Sequence, residues 1–340
     1  MNKVIVIAEA GVNHNGDMAL AKQLIDVAAD SGADYVKFQT FKTEKLVSQE
    51  AKRAEYQKLN MAHDEDVTQF NMLKKLELSE ANHFDLVEHC RLRNIRFLST
   101  AFDLESVDLL YSLGMDLFKI PSGEITNYPY LKKIGGLNTR VVVSTGMCVM
   151  SEIADALNVL LASGTNRENI TVLHCTSDYP TAMEDVNLNA MLNIAKELNV
   201  KIGYSDHTLG IEVPIAAVGL GAEIIEKHFT LDKNLPGPDH KASLEPTELQ
   251  AMVKGIRNIE KAMGSAVKQP TEAEKKNMLL ARKSIHVAQI VEANHVLSES
   301  DLEMKRPGDG ISPMSMEAVI GKKTKHKLNA SHKLNWEDIE

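Results

Sequence analysis

The 340-residue sequence predicts an α/β fold, a (β/α)8 TIM barrel followed by a small second domain. Three observations carry that expectation. Short β-rich apolar runs recur eight times in the first 230 residues, segments with helical apolar spacing separate them, and every run turns polar at its C-terminal end. Strand and helix in alternation argue for βα units and a parallel sheet, and eight such units close a barrel of roughly 250 residues. A doubly wound open sheet competes, but no GxGxxG follows the first run.

The runs are VIVIAEAG (4–11), YVKFQTF (35–41), IRFLSTAF (95–102), LFKIPSGE (117–124), RVVVSTGM (140–147), ITVLHCTSDYP (170–180), KIGYSDHT (201–208) and EIIEKHFT (223–230). Segments such as MALAKQLIDVAADSGA and SEIADALNVLLASG supply the helices between them. A polar insert from about Lys42 to Ser79, containing AEYQKLNMAHDEDVTQF, reads as a lid or substrate loop. After the eighth run come a Pro/Gly-rich loop, LDKNLPGPDH, and an amphipathic closing helix near 246–263. The expected boundaries are a barrel over 1–263, a polar linker over 264–281 and a second domain over 282–340, with a turn-rich KRPGDGISPMS at 305–315.

In a barrel the C-terminal strand ends converge on the face where active sites sit. Period-2 alternation then puts Lys37 and Gln39 on one face, Ser205 with His207, and Glu226 with His228 and Thr230. Lysines among apolar neighbours are costly to bury without an anion nearby. Lys37 and Lys119, with Thr100, Ser122, Ser144 and Ser205, therefore suit a phosphate and a carboxylate. His207 and His228, at the ends of the last two runs, are candidate ligands for one divalent metal with open positions, and His174 competes with them. Spacing alone does not choose among Mn, Mg, Zn and Fe. Glu9, Glu124 and Asp239 read either as ion-pair partners of the lysines or as carboxylates that act on water or a sugar hydroxyl. Tyr179 reads as a turn-packing aromatic, and Arg306 as a solvated charge.

The net charge of −9 disfavours a nucleic-acid partner. From Arg282 onward nine basic and nine acidic residues cancel, so the whole excess lies in the first 281 residues. No run approaches the roughly 20 apolar residues of a membrane span, and the N-terminal stretch is too short for a signal peptide, so the cytoplasm is the expected compartment. Three cysteines, Cys90, Cys148 and Cys175, show no metal spacing and read as reduced structural thiols.

IAEAGVNHNGD, VKFQTFKTEKLVS, FLSTAFD, FKIPSGEITNYPYL, VVSTGM, LHCTSDYPT, GYSDHT, EKHFTLDK, PGPDH and KRPGDGISP occur in this order. The string resembles the bacterial sialic acid synthase (N-acetylneuraminate synthase) family from near the first residue to the last, its C-terminal part being similar to that family's antifreeze-like SAF domain. The resemblance implies condensation of phosphoenolpyruvate with open-chain N-acetylmannosamine and release of phosphate. Another sugar, a 6-deoxy-di-N-acetylated one leading to legionaminic or pseudaminic acid, is the alternative. It further implies a divalent ion, Mn or Mg, on His207 and His228. Lys37, Thr100, Lys119, Ser122, Ser144 and Ser205 would hold phosphoenolpyruvate, and Gln39, Glu124, Tyr179 and Asp239 would face the sugar. Arg306 would reach the barrel of a partner in a domain-swapped homodimer. Glu9 is then the first candidate for activating water, and Glu124 the second. Ser177 and Ala182 depart from the Asn and Pro frequent in relatives, which leaves the sugar open.

Overall fold

A computed structural model describes residues 3–52, 57 and 68–340. Eight parallel strands follow one another with helices between: β1 (Ile5–Gly11), β2 (Tyr35–Thr40), β3 (Arg96–Ala101), β4 (Leu117–Ile120), β5 (Arg140–Ser144), β6 (Ile170–His174), β7 (Lys201–Asp206) and β8 (Ile224–His228). Their hydrogen-bonded order is β3-β2-β1-β8-β7-β6-β5-β4. The two ends of that order, β3 and β4, pack side by side, so the sheet closes as the sequence predicts. The buried Tyr130 hydroxyl marks this seam, donating to the Ala101 carbonyl of β3 at 2.6 Å and lying 3.5 Å from the Lys119 carbonyl of β4.

The helices form where caps and apolar spacing coincide. Asp17 caps the helix Met18–Asp30 by accepting from the Ala19 and Leu20 amides, and Ala21, Leu24, Ile25 and Ala28 form its buried stripe. The helix Pro246–Met263 starts with Pro at its first turn, buries Leu249, Met252, Val253 and Ile256, and is tied to β1 by Arg257, which donates to the Val4 carbonyl at 2.7 Å. Inside the barrel, Gly203 is required by space: a Cβ there would lie 2.4 Å from the Ile224 carbonyl and 2.5 Å from Leu173.

The insert expected over 42–79 is described at its two ends. It contributes the short helix Thr43–Leu46 and the helix Gln69–Leu76, joined through Glu77, which accepts from the Thr43 amide and hydroxyl at 3.1 and 3.0 Å. Residues 53–56 and 58–67, most of the AEYQKLNMAHDEDVTQF stretch, lie outside the described residues.

The chain divides into two compact units, Met1–Gly264 and Ser265–Glu340. The segment read as a linker carries the helix Glu272–Ala281, opened by a Thr271/Glu274 capping box. The smaller unit has its own core, including Ile285, Val287, Leu297, Ile311 and Leu334, beside the antiparallel pair β9 (Ser284–Val287) and β10 (Leu302–Lys305). Asp301 accepts from the Ser298 amide and hydroxyl, Gln289 and His295, which together hold its carboxyl well below the usual range. Cys90, Cys148 and Cys175 are free thiols, and among the described residues no helix is long and apolar enough to cross a membrane.

On β7 and β8 the charges beside the histidines take the opposite face. Asp206 and Lys227 are fully buried, and the Lys227 ammonium donates to the Asp206 carboxylate and to the Thr208 carbonyl at 2.6 Å. Burial pushes Asp206 up and Lys227 down, and each restrains the other's shift. Lys227→Met leaves a buried carboxylate without its cation and is expected to cost about 3–5 kcal/mol in urea unfolding. The double variant Asp206→Asn/Lys227→Met should regain a substantial part of that loss. A single variant within about 1 kcal/mol of wild type would show that the pair does not hold β7 to β8.

Candidate active site

Register brings the site together. Glu9 on β1 is level with Lys37 on β2 and with His228 on β8; Gln39 is level with Thr100, and Ser205 with Glu226. β1 breaks its register between Glu9 and Gly11, and Gly11 adopts φ +52°, where a Cβ would press to 3.3 Å from the His228 ring. The absent side chain lets His228 sit against the strand end.

Glu226 is the centre of the charged layer. Its Oε2 lies 2.7 Å from the Lys37 ammonium and its Oε1 2.6 Å from the Lys119 ammonium, with the Ser205 hydroxyl donating to Oε1 at 3.0 Å. Lys37 also meets Glu9 Oε2 at 3.0 Å, and both side chains are almost wholly buried. Burial pushes the Glu226 carboxyl up, but the two ammoniums outweigh it and hold the group below its usual range. For Lys37 burial opposes, and Glu226 with Glu9 prevails, so its pKa is raised. Lys119 is lowered by burial and by the neighbouring Lys37, incompletely offset by Glu226. The lysines, expected to make the pocket cationic, are therefore already countered. Sequence reasoning noted the parity of Glu226 with His228 but gave it no role; parity was the signal that could have found it.

Two buried hydroxyls in the cleft, Thr100 Oγ1 and Ser144 Oγ, have no hydrogen-bond partner among the described residues. Orphaned donors are costly to bury and suit an incoming oxyanion. Ser122 Oγ accepts from the Gly146 amide at 2.9 Å and lies 3.3 Å from the Cys175 thiol. Position 146 admits only glycine in this arrangement, since a Cβ would fall 2.0 Å from Ser177 Oγ.

The two imidazoles face the same cleft with ring centroids 5.7 Å apart, and Tyr179 lies against both, at 4.1 Å from His207 and 5.9 Å from His228. His207 Nδ1 bonds the Thr176 carbonyl at 2.6 Å, which makes it the protonated nitrogen and leaves the Nε2 lone pair free. Burial, and His228 beside it, lower the His207 pKa to about 3, so the ring is neutral. His228 Nε2 lies 3.3 Å from Glu9 Oε2, while its buried Nδ1 is without a hydrogen-bond partner. Each ring thus pairs one nitrogen with a carbonyl or carboxylate, as metal-ligating histidines do. The donor set fits a divalent ion with two protein ligands; among the described residues no group of three or more His, Cys, Asp or Glu is arranged to hold one.

Asp239 is buried at the rim, pushed up by burial and by Glu9 against the pull of His228. Gln39 lines the same cleft, whose volume is about 480 Å³. Glu124 does not line it: the strand ends at Ile120, and Glu124 closes a 3-10 turn where its carboxylate accepts from Asn127 at 2.5 Å. His174 is also turned away, its Nε2 bonded to the Val186 carbonyl and its ring beside Tyr204. Arg306 belongs to the smaller unit, exposed, with its Nε donating to the Ala281 carbonyl at 3.0 Å.

Comparison with known proteins extends the reading. The NeuB family model matches residues 24–268 and the SAF domain model residues 282–340. An N,N'-diacetyllegionaminic acid synthase of Campylobacter jejuni is 54% identical over 322 residues, covering 95% of this chain and 96% of that protein. A synthase of the same name from Legionella pneumophila is 48% identical, covering 98% and 94%. The solved N-acetylneuraminic acid (sialic acid) synthetase of Leptospira borgpetersenii, in complex with citrate, is 34% identical with a TM-score of 0.72, covering 82% of this chain and 90% of that one. The expectation of N-acetylneuraminate as product is corrected by the first two matches, which favour the diacetamido alternative. The strand-end motifs that carried the resemblance encode the charged layer and leave the sugar unread. Since the family model spans most of the barrel and the strand ends converge on one cleft, the chain is an enzyme of the NeuB family, a sugar-acid synthase with a C-terminal SAF domain.

Proposed function

We propose that the chain condenses phosphoenolpyruvate with the open-chain aldehyde of a 6-deoxy-di-N-acetylated hexose and water, giving a legionaminic-type acid and phosphate. The observation that carries this reading is the buried Lys37–Glu226–Lys119 layer beside two converging imidazoles. The names of the two synthases matched at 54% and 48% identity support the choice of sugar.

Phosphoenolpyruvate brings a carboxylate and a phosphate, and Lys37 and Lys119 with the orphaned hydroxyls of Thr100 and Ser144 are the donors for them. Ser122 and Ser205 are already engaged and hold Gly146 and Glu226 in place. Glu226 and Glu9 offset the two ammoniums, so binding so anionic a substrate calls for further positive charge, which supports a cation on His207 and His228. The chemistry that a bound Mn or Mg ion supplies is Lewis-acid polarisation of the aldehyde oxygen. Carbon 3 of phosphoenolpyruvate attacks the aldehyde carbon, leaving positive character on carbon 2. Water adds there, and phosphate leaves by C–O cleavage. Glu9, oriented by Lys37, is placed to take the proton of that water at Oε. Asp239 and Gln39 face the sugar's polar groups, and Tyr179 packs on the imidazoles. Arg306 of one subunit serves the barrel of the other in a domain-swapped homodimer. The reaction belongs in the cytoplasm, where phosphoenolpyruvate is made.

Phosphate release should require the diacetamido trideoxy sugar and a divalent ion together. Undiminished turnover after exhaustive chelation would remove the metal, and faster turnover of the stereoisomeric sugar leading to pseudaminic acid would reassign the product. Glu226→Gln should lower the melting temperature and cut kcat/KM for phosphoenolpyruvate by about 100-fold or more, because two buried ammoniums lose their shared anion. A variant with wild-type kinetics would contradict that role. Arg306→Ala and His207→Ala should each lose activity, and subunits mixed by unfolding and refolding should regain it. Activity no greater than the sum of the separate variants would exclude an Arg306 that works on its partner's barrel.

A further inference from the structure

Opposite the charged layer, the cleft has a wall of different chemistry. The insert after β2 brings Leu46, Val47, Met72, Leu73 and Leu76 to it, and the end of β3 adds Phe102. These side chains pack with Val12 and Phe41 as a satellite cluster apart from the main barrel core. Met72, Leu73 and Leu76, at 2, 8 and 6% exposure, are as buried as core residues although they line the cleft. Of the insert's polar residues Gln57 and Gln69 also line the cleft, whereas Lys74 donates to Glu44 and Glu77, and Glu77 accepts from Thr43.

A sugar hydroxyl set against the Leu73 and Leu76 side chains themselves loses water and gains no bond from them, whereas a methyl group gains burial. The reacting aldehyde must lie near His207 and His228, on β7 and β8, so the far end of an extended six-carbon chain is the part free to reach the wall over β1 to β3. We propose that this wall, centred on Leu73 and Leu76, is the specificity determinant for carbon 6: it seats the methyl of a 6-deoxy sugar and disfavours a 6-hydroxyl. The inference rests on the reaction proposed above and names the residues that choose its substrate.

The test compares kcat/KM of the intact wild-type enzyme, with phosphoenolpyruvate and Mn, for the 2,4-diacetamido-2,4,6-trideoxy sugar and for its 6-hydroxy counterpart. A hydrophobic pocket rejects an added hydroxyl by about 10- to 100-fold, and that preference is expected here. Leu73→Gln should reduce the ratio toward unity, chiefly through KM for the deoxy sugar. Leu46→Gln, on the other helix, repeats the test if the first variant melts early. Equal use of both sugars by wild type, or an unchanged ratio in a folded variant, overturns the assignment of the wall while the reaction stands. Turnover of neither sugar overturns the reaction itself, and the assignment with it.

Discussion

The mouth of the barrel depends on one carboxylate. Glu226 sits between two ammonium groups that come from strands on either side of the barrel, and it is as deeply buried as they are. Removing charge from water costs several kcal/mol per ion, which the mutual attraction offsets only where geometry is good and remaining lone pairs are satisfied. The Ser205 hydroxyl and the second carboxylate, Glu9, provide that satisfaction. The result is a layer of fixed dipoles and charges close to neutral overall. Under the reaction proposed above it orients an anion through positioned donors rather than attracting it by a net positive field, which suits a chain whose net charge is −9.

The same strands separate chemistry from stability by their two-residue period. On β7 and β8 the inward side chains Ser205, His207, Glu226 and His228 meet the cleft, whereas Asp206 and Lys227 between them pair behind the sheet. That is why these two runs each end in a histidine flanked by charge. The inner residues line the cleft, the outer ones lock neighbouring strands, and a one-residue slip would exchange the two sets.

The fold and most of the floor of the site were legible in the sequence because both follow from local periodicity. Eight strand starts, the closing helix over Pro246–Met263 and the inward parity of Lys37, Lys119, His207 and His228 all come from spacing within single segments. What was hidden is nonlocal. That Lys37 on β2 and Lys119 on β4 share a carboxylate from β8 depends on barrel closure, which no run of residues contains. Glu124, read as a strand-end or loop carboxylate, lies past Ile120, where the backbone turns into a 3-10 helix. His174 shares its face with outward residues of β6, one position before the cleft-lining Cys175. The sugar was unreadable because insert side chains such as Leu73 and Leu76 reach the cleft by nonlocal packing, which spacing does not reveal.

This division has a structural cause. Residues at strand ends are fixed by the ladder, so Glu9, Lys37, Glu226 and the two imidazoles cannot shift without breaking register with their neighbours. The wall residues ride on short helices anchored by Glu77 and Lys74 near the surface, outside the strands that carry the charged layer. Side chains on these helices can change size and polarity while the floor keeps its geometry, because the helices share a cavity with the strands but no backbone ladder. On the function proposed above, one charged layer can therefore serve one condensation on different sugars, with the choice made by the loops above it. Motifs that identify the reaction should accordingly agree between proteins whose products differ, as the family-level resemblance and the correction of the sugar both require.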